Sequence, residues 1–224
     1  MGIIKREKKN GVTVFHLKKD MSDAEIAKKK ATFCKRPKLI INYDADVYGE
    51  EGKLLLRFRT NVLDKKKINA CYDNVIKFAK NISKTRGTSS GNKGLHEKDK
   101  TKKVGVQTNI LGAYDKWSIK NKHIFKVLGV KTPMPVRDTR FNRLFPENWK
   151  KIRPLIQEID KWYKKLTHEQ YRKQKKKARQ TPYSIKGTAF TTVTTNLNYQ
   201  TALHTDKGDD VEGFGNLVVI ERGK

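Results

Sequence analysis

The sequence changes character abruptly at residue 187. Residues 187–220 are rich in Thr, Val, Phe and Tyr and are interrupted by Gly-Asp turns, a composition typical of β-strands. The segment before it has the spacing of an amphipathic helix, with apolar residues at Leu155, Ile156, Ile159, Trp162, Tyr163 and Leu166. Helices followed by strands predict an α+β fold, and 36% hydrophobic residues suffice to bury a core.

The first 84 residues are predicted to form an α+β region of unknown role. Three runs favour strands, namely 11–17, 39–43 and 54–59. Ser22 and Glu25 have the spacing of a capping box, which predicts the start of a short helix. Asp64 is predicted to cap a longer helix whose apolar face consists of Ile68, Cys71, Val75, Phe78, Ala79 and Ile82.

Residues 85–103, rich in Gly, Ser and Lys, have neither helical nor strand periodicity and predict a flexible basic loop. We expect residues 104–224 to form the N-terminal part of one domain, with helical support in 104–186 and the first core strands in 187–224. A short buried helix is predicted around Trp117, Phe125 and Leu128, followed by an extended connector at 132–135.

Two helix boundaries are predicted after this connector. Pro146 begins a helix, and we expect a break before Pro154, because proline deep inside a helix removes a backbone hydrogen bond. Thr167 and Gln170 predict a second capping box at the start of a lysine-rich helix.

Positive charge dominates the composition. The chain has 51 Lys and Arg residues against 23 Asp and Glu residues, a formal net charge of +28. A polyanion such as DNA is therefore the expected partner, although a proteome that coats every surface with lysine would give the same excess. Residues 161–180 contain nine basic residues. Five of them are predicted to contact nucleic-acid phosphates, namely Lys173, Lys175, Lys176, Lys177 and Arg179. Helical geometry cannot place all of the 172–179 charges on one side, so some of them only solvate the surface.

The sequence also predicts a compartment. Cys34 and Cys71 are the only cysteines, too few for a disulfide framework, and the chain has neither a signal peptide nor an apolar stretch of membrane-spanning length. We expect an intracellular protein, cytoplasmic or nuclear, that does not enter membranes. Any metal would have to be held by histidine or carboxylate side chains.

One pair of residues has metal-binding chemistry. His204 and Asp206 lie two residues apart, so that on extended backbone both side chains project to the same side. A histidine and a carboxylate supply two thirds of the facial triad that holds non-haem Fe(II). Alone the spacing is weak, because a surface turn produces it equally well.

The surrounding residues resemble a known family. The threonine-rich strand ending in Asn196, the run Thr201-Ala-Leu-His204-Thr-Asp206-Lys-Gly-Asp209 and the run Gly213-Phe-Gly-Asn-Leu217 are similar to the oxygenase core of the TET/JBP family, in its JBP-like branch of large DNA viruses and algae. These are Fe(II)- and 2-oxoglutarate-dependent nucleic-acid hydroxylases. The resemblance extends loosely back to about Gln107, whereas residues 1–100 resemble nothing recognisable.

The resemblance implies a double-stranded β-helix (jelly-roll) core with His204 and Asp206 as catalytic iron ligands and with 2-oxoglutarate and O2 as co-substrates. Asn196 and Asn198 are implied contacts to 2-oxoglutarate, or they only satisfy backbone groups at the strand end. Asp209 and Asp210 are expected in a turn. Gly213 and Gly215 are expected to allow positive φ before a strand at 217–220.

The sequence departs from the family in one respect. The family pattern has a second iron-binding His and an Arg for 2-oxoglutarate downstream, but after Asp206 the chain contains no His and only one Arg, Arg222. We therefore expect a C-terminally truncated piece of a longer enzyme, inactive by itself.

Three functions remain open at this point. The first is hydroxylation of the methyl group of thymine or 5-methylcytosine in DNA. The second is hydroxylation of a protein side chain by the same chemistry, which the positive charge disfavours. The third is a non-catalytic, basic nucleic-acid-binding protein with an incomplete iron site.

Overall fold

The computed structural model describes residues 2–37, 39–84, 86–91, 104–114, 127, 137–206 and 209–222. The chain forms two compact units, each assembled from separate stretches of sequence. The first unit consists of Met1–Val62, Lys84–Val106 and Gln200–Asp206, and the second of Leu63–Ser83, Gln107–Tyr199 and Lys207–Lys224. Together they contain helices and sheets, so the α+β class is confirmed.

The first unit is built on a four-stranded sheet in the order β1-β2-β3-β4. Its strands are β1 (Gly2–Lys9), β2 (Val12–Lys18), β3 (Ala45–Tyr48) and β4 (Leu54–Phe58), with helix α1 (Asp23–Lys28) after β2. Asn10 and Gly11 connect β1 to β2 with φ of 49° and 80°, the left-handed pair that a two-residue hairpin turn requires. One sheet face buries Phe15, Leu17, Ala45 and Val47.

Three local predictions for this unit are confirmed and one is wrong. The strands at 11–17 and 54–59 are present, and Ser22 and Glu25 form the complete capping box of α1. No strand forms at 39–43, because β3 begins at Ala45 instead. Alternate residues Leu39, Ile41 and Tyr43 do pack on the core, which explains the apolar pattern without sheet pairing.

Within its described residues, apart from position 127, the second unit packs four helices with a small antiparallel sheet in the order β6-β5-β7. Its elements are α2 (Lys65–Ala79), β5 (Thr108–Tyr114), β6 (Arg137–Asp138), α3 (Arg140–Leu144), α4 (Pro146–Leu166), α5 (His168–Ala178) and β7 (Thr192–Asn196). Buried residues from α2, β5, α3 and α4 form its core, namely Val75, Leu111, Phe141, Ile152, Ile156 and, from the segment before β7, Ile185.

The caps of these helices follow the sequence only in part. The Asp64 carboxylate accepts a hydrogen bond from the Lys67 amide and caps α2 as predicted, although Ile82 lies beyond the helix and is exposed. The prediction of a capping box at Thr167 is wrong. The Thr167 hydroxyl donates to the Tyr163 carbonyl of the preceding helix at 3.2 Å, so it does not cap α5.

The predicted break before Pro154 is also wrong. Helix α4 runs without interruption from Pro146, at its first position, to Leu166. Pro154 is exposed, whereas Ile152, Leu155 and Ile156 are buried. Water can therefore hydrate the carbonyl of Lys150 that the proline leaves unpaired, while apolar packing on the opposite face holds the helix together.

The C-terminal strands are fewer than expected within the described residues. Strand β7 ends at Asn196 as predicted, but residues 217–220 form no strand, and Leu217 and Val219 are exposed. These residues favour strand formation, but no other strand in the described part of the chain pairs with them. The predicted helix around Trp117, the connector at 132–135 and most of the 85–103 loop lie outside the described residues. No helix within the described ranges is both long and apolar enough to cross a membrane.

Candidate metal centre and basic surface

His204 and Asp206 face each other in the first unit. The Nε2 atom of His204 lies 3.5 Å from Oδ2 of Asp206. The segment belongs to neither a strand nor a helix, and the imidazole is 21% exposed whereas the carboxylate is 67% exposed. The two groups that the sequence singled out are therefore adjacent and accessible to an ion from solvent.

The hydrogen bonding of His204 favours metal binding. Its Nδ1 atom lies 2.7 Å from the carbonyl oxygen of Ala202, which can only accept, so the ring proton resides on Nδ1. In the neutral imidazole the lone pair is then on Nε2, the atom that faces Asp206. Metal-binding histidines typically donate their other ring N–H to a carbonyl or carboxylate in this way. Two ligands held about 2.1 Å from one ion lie roughly 3 to 3.5 Å apart, so the pair fits a single ion.

Backbone hydrogen bonds to an N-terminal stretch hold this segment in place. The Ala31 amide donates to the Leu203 carbonyl at 2.8 Å, and the Leu203 amide donates to the Thr32 carbonyl at 2.9 Å. The Ala202 amide donates to the Ser89 carbonyl at 2.8 Å, and the Ala202 side chain is buried. Sequence reasoning missed these partners, because backbone pairing carries no residue-type signal.

The described residues supply two metal donors and no third. No group of three His, Cys, Asp or Glu side chains that could hold a metal occurs within the described ranges. His16 is engaged elsewhere, since it stacks on Tyr48 and lies 3.6 Å from Glu7. His168 belongs to the second unit, and His96 and His123 lie outside the described residues. The donor set fits Fe(II) as two of the three protein ligands of a facial triad.

The two asparagines of the implied co-substrate site lie in the second unit and are exposed. Oδ1 of Asn196 accepts a hydrogen bond from the Thr108 hydroxyl at 2.6 Å, which links the ends of β7 and β5. Asn198 has φ of 45° and lies in a bend after β7. Both have local structural roles, and their contact with 2-oxoglutarate stays a prediction.

The turn after the pair is fastened to helices α4 and α5. Oδ1 of Asp210 accepts from the Glu212 amide at 3.1 Å, and the Phe214 amide donates to the Tyr163 hydroxyl at 2.9 Å. Gly213 does not have the positive φ that the sequence predicts, and neither does Gly215. A Cβ at 213 would meet the Gln174 amide oxygen, so a larger residue there would have to displace the Gln174 side chain.

Two of the five predicted phosphate-binding residues pair with this turn. The Lys177 ammonium lies 2.6 Å from Asp210 and 3.0 Å from Glu212, and Lys173 lies 3.3 Å from Glu212. The hydrogen bond that Lys177 donates lowers the pKa of Asp210, and the hydrogen bonds that Asp210 and Glu212 accept from Lys177 raise the pKa of Lys177. The positive charges that were expected to attract phosphate therefore pair with carboxylates of the protein itself.

Of the other three predicted residues, Lys175 and Arg179 lie on a different side of α5, and Lys176 lies between the two sides. Lys175 donates to the Gly187 carbonyl at 2.6 Å, and partial desolvation lowers its pKa. Lys176 and Arg179 are exposed. Beside them the Tyr171 hydroxyl donates to buried Asp160, and desolvation raises the pKa of this tyrosine to about 12.

Comparison with known proteins identifies the C-terminal part of the chain. Residues 125–222 match the family model of the Tet_JBP oxygenase domain of the 2OGFeDO superfamily. The resemblance to the TET/JBP oxygenases is thereby confirmed for this part of the chain. No solved structure was found to match.

Curated relatives cover about half of the chain. A bifunctional helicase and thymine dioxygenase JBP2 of Leishmania tarentolae is 35% identical over 116 residues, which are 50% of this chain and 9% of that protein. The JBP2 protein of Trypanosoma cruzi is 31% identical over 123 residues, 53% of this chain and 10% of its own. A thymine dioxygenase JBP1-A of the same organism is 33% identical over 97 residues, 43% of this chain and 12% of its own. The chain thus spans about a tenth of the length of these relatives.

Proposed function

We propose that this chain is part of an Fe(II)- and 2-oxoglutarate-dependent dioxygenase that hydroxylates the methyl group of a pyrimidine base, thymine or 5-methylcytosine, in DNA. The observation that carries the proposal is the geometry of His204 and Asp206, whose donor atoms converge at 3.5 Å. The match of residues 125–222 to a family of such oxygenases supports the same chemistry.

In this chemistry the side chains of the protein would hold the iron ion and orient its ligands. When bound, Fe(II) supplies the oxidising power, using 2-oxoglutarate and O2. His204 donates from Nε2 and Asp206 from its carboxylate, while the Ala202 carbonyl fixes the imidazole tautomer. We place these residues in a double-stranded β-helix core, the architecture that the family resemblance implies.

DNA is the proposed substrate for two reasons. The relatives are named as thymine dioxygenases. The net charge of +28 suits a polyanion far better than a small metabolite. A methyl group on a base within the duplex must be brought into the catalytic site by extruding the nucleotide, and phosphate contacts hold the duplex while this happens.

Metal binding tests the site directly and does not require turnover. Anaerobic titration of the 224-residue chain with Fe(II), followed by calorimetry, measures the dissociation constant. We expect His204→Ala and Asp206→Ala to weaken binding at least tenfold, since even outer-shell changes at metal sites cost about 10- to 100-fold. His16→Ala and Asp23→Ala are matched controls from the same unit and should bind as the wild type does. Equal binding by all four variants would refute the assignment.

Turnover tests the reaction. The protein expressed from its native reading frame is incubated with Fe(II), 2-oxoglutarate and duplex DNA, and succinate and oxidised bases are measured by mass spectrometry. We expect succinate release that DNA stimulates and that His204→Ala abolishes. Absence of DNA-stimulated release, or equal release by the variant, would contradict the proposal.

One observation keeps a non-catalytic DNA-binding protein as the second candidate. Within the described ranges no third His, Cys, Asp or Glu completes the metal site. This candidate predicts DNA binding with neither Fe(II) affinity at His204 nor succinate release, so the same two experiments separate the two functions.

A further inference from the structure

Helix α5 carries its basic residues in two stripes. At about 100° per residue, His168, Arg172, Lys175 and Arg179 fall within an arc of roughly 60°, and Lys176 flanks it. Lys173 and Lys177 lie roughly 150° away around the helix. Buried Tyr171 and Ala178 mark a third side, which faces the protein interior. The two basic stripes therefore face different surroundings.

The charges of Lys173 and Lys177 are already balanced by carboxylates of the protein. The Lys177 ammonium lies 2.6 Å from Asp210 and 3.0 Å from Glu212, and the Lys173 ammonium lies 3.3 Å from Glu212. The Asp210 side chain is only 15% exposed, whereas those of Lys173, Lys177 and Glu212 are about half exposed. Binding a phosphate here would require breaking the contacts that fasten the 209–214 turn to α5.

The other stripe lines an open, positively charged hollow of about 490 Å³, and Lys173, whose ammonium lies 3.3 Å from Glu212, lies at its margin. Arg172, Lys176 and Arg179 are exposed along it, and Lys164 at the end of α4 extends it. Arg172 lies 3.3 Å from Glu169, but both side chains are about two thirds exposed, so solvent and salt screen this pair. All the charged side chains that line the hollow are basic.

We infer that the stripe of Arg172, Lys176 and Arg179, continued by Lys164, binds the phosphodiester backbone of duplex DNA, whereas Lys173 and Lys177 serve only to hold the 209–214 turn. The inference rests on the proposed function for the identity of the polyanion. It divides the basic cluster by structural role: Lys176 and Arg179 remain phosphate contacts, Arg172 and Lys164 join them, and Lys173 and Lys177 leave the set.

The dimensions of the stripe fit a polymer. From residue 168 to residue 179 the helix rises roughly 16 Å, at about 1.5 Å per residue. Duplex DNA presents one phosphate for about every 1.7 Å of its axis, so cations spaced along this length can meet several phosphates at once. A single phosphate or mononucleotide would use only one end of the row.

The test compares two double variants of equal charge on one helix. Affinity of the full chain for a duplex oligonucleotide is measured by fluorescence anisotropy between 50 and 200 mM salt, without Fe(II) or 2-oxoglutarate. Arg172→Gln with Lys176→Gln should lower the slope of log K against log salt by about 1.8, or about 0.9 per lost contact. Over this fourfold range the wild type should then lose about tenfold more affinity than the variant. Lys173→Gln with Lys177→Gln should keep the wild-type slope.

A second measurement needs no variant. Lysine acylation of the wild-type chain, read by mass spectrometry with and without DNA, should show protection of Lys176 and no change at Lys173 and Lys177. Equal slope changes in the two double variants, unchanged slopes in both, or protection of Lys173 and Lys177 would overturn the inference. Turnover on DNA with unchanged slopes would refute this surface and leave the dioxygenase proposal standing. The expected slopes without any turnover would support this DNA-binding surface and contradict the dioxygenase proposal.

Discussion

A buried carboxylate joins three parts of the second unit, and its removal gives a measurable prediction. Oδ2 of Asp160 on α4 accepts from the Tyr171 hydroxyl of α5 at 2.9 Å. Its Oδ1 accepts from the Ala189 amide, just before β7, at 2.7 Å. Asp160 and Ala189 are both buried, so water cannot replace either hydrogen bond.

The expected magnitudes follow from these contacts. Tyr171→Phe removes one hydrogen bond to a charged acceptor and should lower the free energy of unfolding by about 1.5 to 3 kcal/mol. Asp160→Ala removes both bonds and should cost about 3 to 6 kcal/mol. The double variant should cost about as much as Asp160→Ala alone, because the tyrosine hydroxyl has then already lost its acceptor. The coupling energy is therefore about 1.5 to 3 kcal/mol.

Urea unfolding followed by tryptophan fluorescence measures this cycle, since Trp149 and Trp162 lie on the same helix as Asp160. Tyr183→Phe is the matched control, because Tyr183 is exposed and its loss should cost less than about 0.5 kcal/mol. Effects of Asp160→Ala and Tyr171→Phe that add to within about 0.5 kcal/mol would show that the two side chains are uncoupled and would refute the reasoning.

Three further predictions follow from single residues. Burial raises the pKa of the Cys71 thiol to about 11, so iodoacetamide at pH 8 should label exposed Cys34 well before Cys71, and equal labelling would contradict the burial. Gly112 has φ of 87° in β5 and its Cα faces a neighbouring backbone carbonyl, so Gly112→Ala should cost at least about 1 to 2 kcal/mol in urea unfolding, and no loss would contradict the geometry. The lowered pKa of Asp210 stabilises the fold above the ordinary carboxyl pKa of about 4, and this stabilisation is lost as the pH falls through the lowered value. Lys177→Met removes its main cause, so urea titrations should show a flatter acid dependence for the variant than for the wild type, and parallel curves would contradict it.

The sequence predicted correctly those helix boundaries that depend on residues close together in the chain. The Asp64 cap, the capping box at Ser22 and the start of α4 at Pro146 depend on residues within one helical turn, and each is present. Strand β7 ends at Asn196 as its composition indicates. The family resemblance brought His204 and Asp206 forward, and the structure places their donor atoms together.

The wrong predictions concern positions whose structure depends on contacts with other parts of the chain. At Pro154 the burial of neighbouring apolar residues outweighs the proline, and at Thr167 the hydroxyl finds a carbonyl in the preceding helix. A pattern in the sequence could have identified Asp160, since an acidic residue on the apolar face of a helix predicts a buried partner. Nothing in residue type could have shown that Lys173 and Lys177 meet Asp210 and Glu212 across 33 or more positions.

The hydrogen bonds between Leu203 and the Ala31–Thr32 stretch have a practical consequence for expression of this protein. A fragment cut to the family match, residues 125–222, would retain both proposed iron donors and lose the hydrogen bonds of Leu203 to Ala31 and Thr32. The histidine and the aspartate would then be carried by an untethered strip of polypeptide, and a weak affinity for iron in such a fragment would reflect lost preorganisation rather than wrong ligands. A test of the proposed metal site should therefore use a piece of the chain that includes the Ala31–Thr32 stretch.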